Sequence, residues 1–230
     1  MSLLLCAAAL VCSPLWAQQT GRIDGVAVIG RRLTTQHQRV RVYAEPGAQP
    51  ELAPRTEENP LANVLIYLEP APGLAGATPS ASAPRPEMRQ ESEQFAPHVL
   101  PILAGSTVDF PNRDPIYHNV FSLSRAKSFD LGRFPQGGSK QIAFTKPGVV
   151  QVFCHIHADM SGYIIVLENA FFAVPSADGR FVLDRVPPGD YKLIAWHERI
   201  RPLVRSIHVS SGASTPIRII IPLQDSLPAR

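Results

Sequence analysis

Cysteine is scarce in this chain. Three occur in 230 residues, at positions 6, 12 and 154. Charge is scarce too: 18% of residues are charged, and 22 Lys and Arg against 19 Asp and Glu leave a formal net charge of +3. No basic stretch is concentrated enough for a dedicated nucleic-acid binder, and that class is set aside. Beyond the first residues, no run reaches the roughly twenty uninterrupted apolar residues of a membrane-crossing helix, so no membrane span is expected. Convincing amphipathic helices are missing as well. The 23 prolines, spread along the chain, favour short strands and turns. What is present is apolar residue, at 45% of the chain, enough to bury a core in one large domain or two small ones.

The first twenty residues carry no charge, and residues 3–16 are apolar up to Ala17. This reads as a secretory signal peptide over residues 1–17, cleaved near Ala17, which would send the protein to the periplasm. A lipoprotein anchored at Cys6 or Cys12 is the alternative. It is disfavoured because neither cysteine follows Gly, Ala or Ser. With the leader removed, Cys154 stands alone and no internal disulfide can form. A lone thiol in an oxidising compartment is a liability unless it is buried or bound. A buried core cysteine is the ordinary reading, but the neighbours of Cys154 argue against it.

Apolar alternation at Val26 and Val28, at Val40 and Val42, and over residues 63–68 predicts strands in residues 21–69. A polar stretch with Pro46, Pro50, Pro54 and Pro60 reads as a long loop. Residues 70–86 are almost entirely Pro, Ala, Gly, Ser and Thr and read as a linker. Strands return from Met88 onward: Val99–Leu103, Thr107-Val-Asp-Phe110, a strand around Val120, another ending at Phe144, one running into Cys154, and one over residues 163–167, apolar on both faces. Residues 170–225 are β again. Asp178-Gly179, between Phe172-Ala-Val174 and Phe181-Val-Leu183, gives a hairpin signal. The fold class is therefore all-β.

Residues 153–160 read Phe-Cys-His-Ile-His-Ala-Asp-Met, a tight loop between two strands that holds Cys154, His157 and Met160. His118 stands at another strand entry. A thiolate, two imidazoles and a thioether form the donor set of a mononuclear type 1 copper site, with the thioether as the weak axial ligand. A rigid sandwich limits ligand movement between oxidation states and so lowers the barrier to electron transfer. Zinc is the competing metal, but it calls for four strong ligands and has no use for Met160. His155 reads as exposed or hydrogen-bonded, and His98, His197 and His208 read as surface residues.

On these residues the sequence resembles the cupredoxins, and within them the amicyanin group. The likeness rests on the spacing of Cys154, His157 and Met160, on the run Gly105-Ser-Thr-Val-Asp-Phe-Pro-Asn-Arg-Asp114 with His118-Asn-Val120, and on Phe144-Thr-Lys-Pro-Gly148 with Val152-Phe-Cys154. It covers residues 87–168, about a third of the chain. It implies a Greek-key β-sandwich holding one copper. It also implies that Asn119 ties the two ligand loops together by hydrogen bonds and that the edge of His157 is the electron port. Cys154-His-Ile156 also echoes multicopper oxidases and copper nitrite reductases. A trinuclear cluster needs several His-x-His pairs, and among seven histidines the chain has only His155-Ile-His157. A binuclear site with two loop cysteines is excluded by the single Cys154.

Residues 170–225 resemble the carboxypeptidase regulatory-like (transthyretin-like) family through Ser176-Ala-Asp-Gly-Arg-Phe181 and Val186-Pro-Pro-Gly-Asp-Tyr-Lys-Leu193. That family opens with strands like those of residues 21–69, including Ala62-Asn-Val-Leu-Ile-Tyr-Leu68. A discontinuous second sandwich is therefore expected, built from residues 21–69 and 170–225 with the cupredoxin inserted between them. The composite resembles periplasmic methylamine-utilisation proteins. This implies a one-electron carrier rather than an enzyme, with a periplasmic dehydrogenase or cytochrome as partner. Copper delivery without a redox partner is the first alternative, and a carbohydrate-binding or adhesion module with structural copper is the second.

Overall fold

The structure is a computed structural model and describes residues 19–30, 59–71, 74, 79–80 and 84–222. The expected signal peptide and the strand expected at Val40 and Val42 lie outside the described residues. Two strands come first, β1 (Gly21–Ile29) and, after a 3-10 turn at Pro60–Asn63, β2 (Leu65–Leu68). A central group follows: β3 (Arg89–Glu91), β4 (Gln94–Ala96), β5 (Val99–Leu103), β6 (Ser106–Pro111), β7 (His118–Leu123), β8 (Ser128–Phe134), β9 (Ser139–Phe144), β10 (Gly148–Phe153) and β11 (Ser161–Leu167). The last group is β12 (Phe172–Ala173), β13 (Arg180–Val186), β14 (Gly189–Trp196), β15 (Leu203–Val209) and β16 (Ser214–Ile221). No helix among the described residues is long and apolar enough to cross a membrane.

The central group makes a β-sandwich of cupredoxin-like layering. One layer is a five-stranded sheet in the order β5-β11-β10-β7-β8; the other is built from the pairs β6-β9 and β3-β4. Val120, Val150, Val152, Ile164 and Val166 from the first layer meet Phe95, Val108, Phe110 and Phe144 from the second in one buried cluster. The strands alternate as the period of two demands: Ser106, Val108 and Phe110 of β6 are buried, and the residues between them are only partly so.

The strands before and after the central group hydrogen-bond to one another. β1 lies between β13 and β16, and β2 lies between β12 and β14, with β15 beyond β14. Tyr67 pairs with Ile194, and Ile23 pairs with Leu183 on one side and Thr215 on the other. Ile23, Ile66 and Leu68 share a cluster with Phe181, Leu193, Ile219 and Ile221. Leu74, inside the stretch read as a linker, is also buried in that cluster.

Residues 163–167 are apolar on both faces because β11 borders two cores. Ile164 and Val166 face the central core, while Ile165 and Leu167 pack with Leu65, Val99 and Trp196 at the junction with the flanking strands. The turn at Asp178-Gly179 forms, with Gly179 at φ +84°, but it does not join a hairpin. β12 pairs with β2 and β13 pairs with β1, so the turn passes the chain from one sheet to the other. A Cβ on Gly179 would sit 2.1 Å from the Ala27 carbonyl oxygen, which leaves room only for glycine.

Candidate metal centre

The central sandwich brings three donors together at one end. Cys154 follows β10, His157 lies in the loop to β11, and His118 opens β7. One ligand atom from each lies within 4.8 Å of the other two. Cys154 Sγ is 3.8 Å from His118 Nδ1 and 3.7 Å from His157 Nδ1. An ion held at about 2.0 Å from nitrogen and about 2.3 Å from sulfur in a trigonal plane would separate those atoms by about 3.7 Å, so the donors fit one shared ion. His118 and Cys154 are buried and His157 is half-buried. The site is therefore shielded on the sheet side and closest to solvent at His157, between exposed Ile156 and Ala158.

The loop is short and closed on itself. The Cys154 N–H donates to the Met160 carbonyl at 3.2 Å, and the Met160 N–H donates to the His157 carbonyl at 3.0 Å. Met160 is buried in the same cluster as Cys154. Asn119 spans the two ligand segments: its Oδ1 accepts from the His155 N–H at 2.7 Å, and its Nδ2 donates to Asp130 Oδ1 at 3.3 Å. His155 points away, exposed, with its ring 3.8 Å from the ring of Phe121.

The electrostatics favour an ionised thiol. Burial pushes the Cys154 thiol up, but His118 and the backbone N–H groups of Asn119, Ile156 and His157 outweigh it and bring the pKa down to about 6. Burial also disfavours charge on His118, yet Cys154 and Asp114 together raise its pKa above the ordinary histidine value. A thiolate beside two imidazoles is a soft donor set that suits copper.

Asp114 was not singled out from the sequence as a site residue. Its Oδ2 lies 2.7 Å from His118 Nε2, and the carboxylate is buried. The only sequence signal is an aspartate four residues before the histidine, in a turn where that spacing carries no helical meaning. Two further readings need correction. His197 is buried rather than on the surface, accepting from the Arg199 N–H at its Nδ1. His98 is half-buried and paired with Glu198 at 2.6 Å across the junction, with Tyr163 against its ring. Sequence periodicity does not reveal that a second sheet covers this face of β11, so neither contact is legible in it. His208 is exposed and paired with Asp190, as a surface histidine can be.

No protein-family model and no curated protein matches the chain. Solved structures are similar over part of it. The likeness is to cupredoxin-fold proteins. Amicyanin from Paracoccus versutus is 25% identical, over 38% of this chain and 87% of that one, with a TM-score of 0.34. A purple cupredoxin from Nitrosopumilus maritimus is 23% identical, over 35% of this chain and 96% of that one, with a TM-score of 0.32. The copper-containing nitrite reductase of Thermus scotoductus SA-01 is 28% identical, over 41% of this chain but 25% of that one, with a TM-score of 0.37. The resemblance is distant and partial. The metal-binding capacity of the site stands on its own donors and distances.

Proposed function

We propose that this protein is a periplasmic type 1 copper protein that carries single electrons between redox partners. One copper would be held by Cys154, His118 and His157, with Met160 as the weak axial ligand. When bound, copper supplies a one-electron couple with an intense thiolate absorption. The observation that carries the reading is the placement of Cys154 Sγ between two imidazole nitrogens at nearly equal distance, 3.8 and 3.7 Å.

The chain's own residues contribute the rest. The β10–β11 loop holds three of the donors within seven residues, Asn119 fixes that loop to the His118 segment, and half-buried His157 offers the edge through which an electron would leave. We read the flanking strands as a discontinuous transthyretin-like sandwich that mounts the copper unit, and a periplasmic dehydrogenase or cytochrome as the partner. We read the role as that of a carrier rather than of an enzyme.

Titration of the full chain with Cu(II) tests this. One equivalent should produce an intense visible thiolate-to-copper band and an EPR signal with narrow hyperfine splitting. Reversible reduction and fast exchange with a cytochrome complete the reading. A colourless protein whose Cys154 titrates freely with a thiol reagent removes it. Rapid release of copper to an acceptor would replace electron transfer by copper delivery.

A further inference from the structure

Both oxygens of Asp114 are engaged: two backbone N–H groups donate to them, and a ring nitrogen of His118 faces one of them. Ser92 N donates to Oδ1 at 2.6 Å, and Glu93 N donates to Oδ2 at 2.8 Å. His118 Nε2 shares Oδ2 at 2.7 Å. The Asp114 N–H donates to Asn112 Oδ1 at 3.0 Å, while Asn112 Nδ2 donates to the carbonyls of Ile116 and Phe134 at 2.8 and 3.1 Å. The carboxylate is thus held from both sides before it meets the histidine.

Ser92 and Glu93 are the two residues of the turn that joins β3 to β4, where Glu91 faces Gln94. Both are left-handed, with φ of +57° and +56°. Two consecutive positive φ values are what a type I′ turn requires, and Asn-Gly or Asp-Gly are the sequences that accept them readily. Serine and glutamate are poor choices for the backbone alone. The left-handed turn aims two successive N–H groups at one spot, a concavity suited to an anion, and Asp114 fills it. Asp114 in turn lowers the cost of keeping the turn in that form.

We infer that the Ser92–Glu93 turn is a positioning element for His118, acting through Asp114. Both Asp114 oxygens already accept backbone N–H groups, so Nε2, the ring nitrogen facing Oδ2, is placed to donate, and Nδ1 is left to face Cys154 and the ion. The ring is oriented without any metal, by a hairpin 26 positions upstream of the ligand. The functional weight of this inference rests on the copper reading; the hydrogen-bond chain itself does not.

The test uses the full-length chain with ¹⁵N-labelled histidine. In the metal-free protein, the His118 Nε2–H should give a downfield, slowly exchanging proton resonance. Asp114→Asn places an NH2 group against at least one of the three donors. It should accelerate that exchange at least about tenfold and weaken Cu(II) binding about 10–100-fold, with a changed EPR hyperfine splitting. Inserting two glycines between Ser92 and Glu93 leaves Asp114 intact but separates the two N–H groups, and it should accelerate the exchange in the same direction. The double change Ser92→Asn and Glu93→Gly keeps both N–H groups on a turn that prefers this geometry. It should leave exchange and copper affinity within about twofold of the parent and raise Tm. An insertion variant that matches the parent in exchange rate overturns the inference, as does an Asp114→Asn protein that loses only thermal stability. A parent that fails to bind copper but protects the His118 proton would remove the copper reading and leave the positioning chain standing.

Discussion

Among the described residues, fourteen buried ones form the cluster between the flanking strands, and fourteen form the central one. The two cores differ in what accompanies them. The central unit buries Gln90, Ser106, Asn112, Asp114, His118, Asn119 and Ser122, and it keeps the soft donors Cys154 and Met160 inside its apolar cluster. The flanking strands and the junction bury two polar residues, Asn169 and His197. Burying a polar group costs stability unless it is hydrogen-bonded; Asn169 bonds the Leu68 carbonyl and the Phe171 N–H, and His197 accepts from the Arg199 N–H. In the central unit Asn112 and Asp114 form a hydrogen-bonded chain that ends on His118, and Asn119 holds the ligand loop through the His155 N–H. The comparison teaches that layered β-sheet is common to both halves, while among the described residues the cluster able to hold a metal lies in the half that buries more polar groups.

The largest effect that would break this comparison is loss of the thiolate. Cys154→Ser should abolish the visible thiolate-to-copper band while leaving far-UV circular dichroism unchanged; a retained band would mean that another donor carries the colour. Next in size is Trp196→Ala at the junction, a truncation expected to cost about 3–5 kcal/mol. Because Trp196 packs with Ile165 and Leu167 of β11, calorimetry should show one unfolding transition dividing into two. A single transition shifted as a whole would mean that the two cores do not depend on this contact to unfold together. Leu193→Ala, within the flanking core, should cost about 2–5 kcal/mol in denaturant titration. The copper spectrum of the folded fraction should stay as it was, and a shifted spectrum would show that the two cores are coupled more tightly than their separate clusters suggest.

Asn119→Ala removes the acceptor of the His155 N–H and leaves that donor unpaired, at a cost of about 1–3 kcal/mol. Amide exchange at His155 should rise while exchange in β16 does not. The smallest effect concerns pH. Burial holds His197 below its ordinary value of 6.5; Glu198 opposes this, and Arg199 and His98 reinforce it. The unfolded chain therefore binds that proton more readily, so the stability His197 contributes is present above pH 6.5 and is lost as pH falls below it toward the folded value. Thermal scans kept above 4.5, the ordinary value from which Glu198 is lowered, should show Tm falling on acidification in the parent and less so in His197→Gln. Equal slopes would assign the effect elsewhere.

Much of the site was legible because it is local. Cys154 and His157 lie three residues apart in one loop, and a thiol with an imidazole is a metal-binding pair of donors; Met160, read as the axial ligand, is buried in the same cluster as Cys154. His118 was legible from the strand it opens. The all-β class, the strand around Val120 and the two-faced character of residues 163–167 followed from periodicity. β8 was not foreseen: its alternation breaks at exposed Gly132 and Arg133 before buried Phe134, so the pattern is faint. The hairpin expected at Asp178-Gly179 misled because a turn motif specifies a reversal and not which strands pair across it.

By itself the sequence determined the strand content, the thiol and imidazole of the β10–β11 loop and the absence of a second cysteine there, since each depends on residues close together in the chain. The tertiary structure alone decided that β1 and β2 pair with strands more than a hundred residues later, that β11 borders two cores, that His98 and His197 are covered, and that Asp114 joins a hairpin turn to His118. Those contacts depend on which faces meet when sheets stack, and hydrophobic patterning marks a face as buried without naming what buries it.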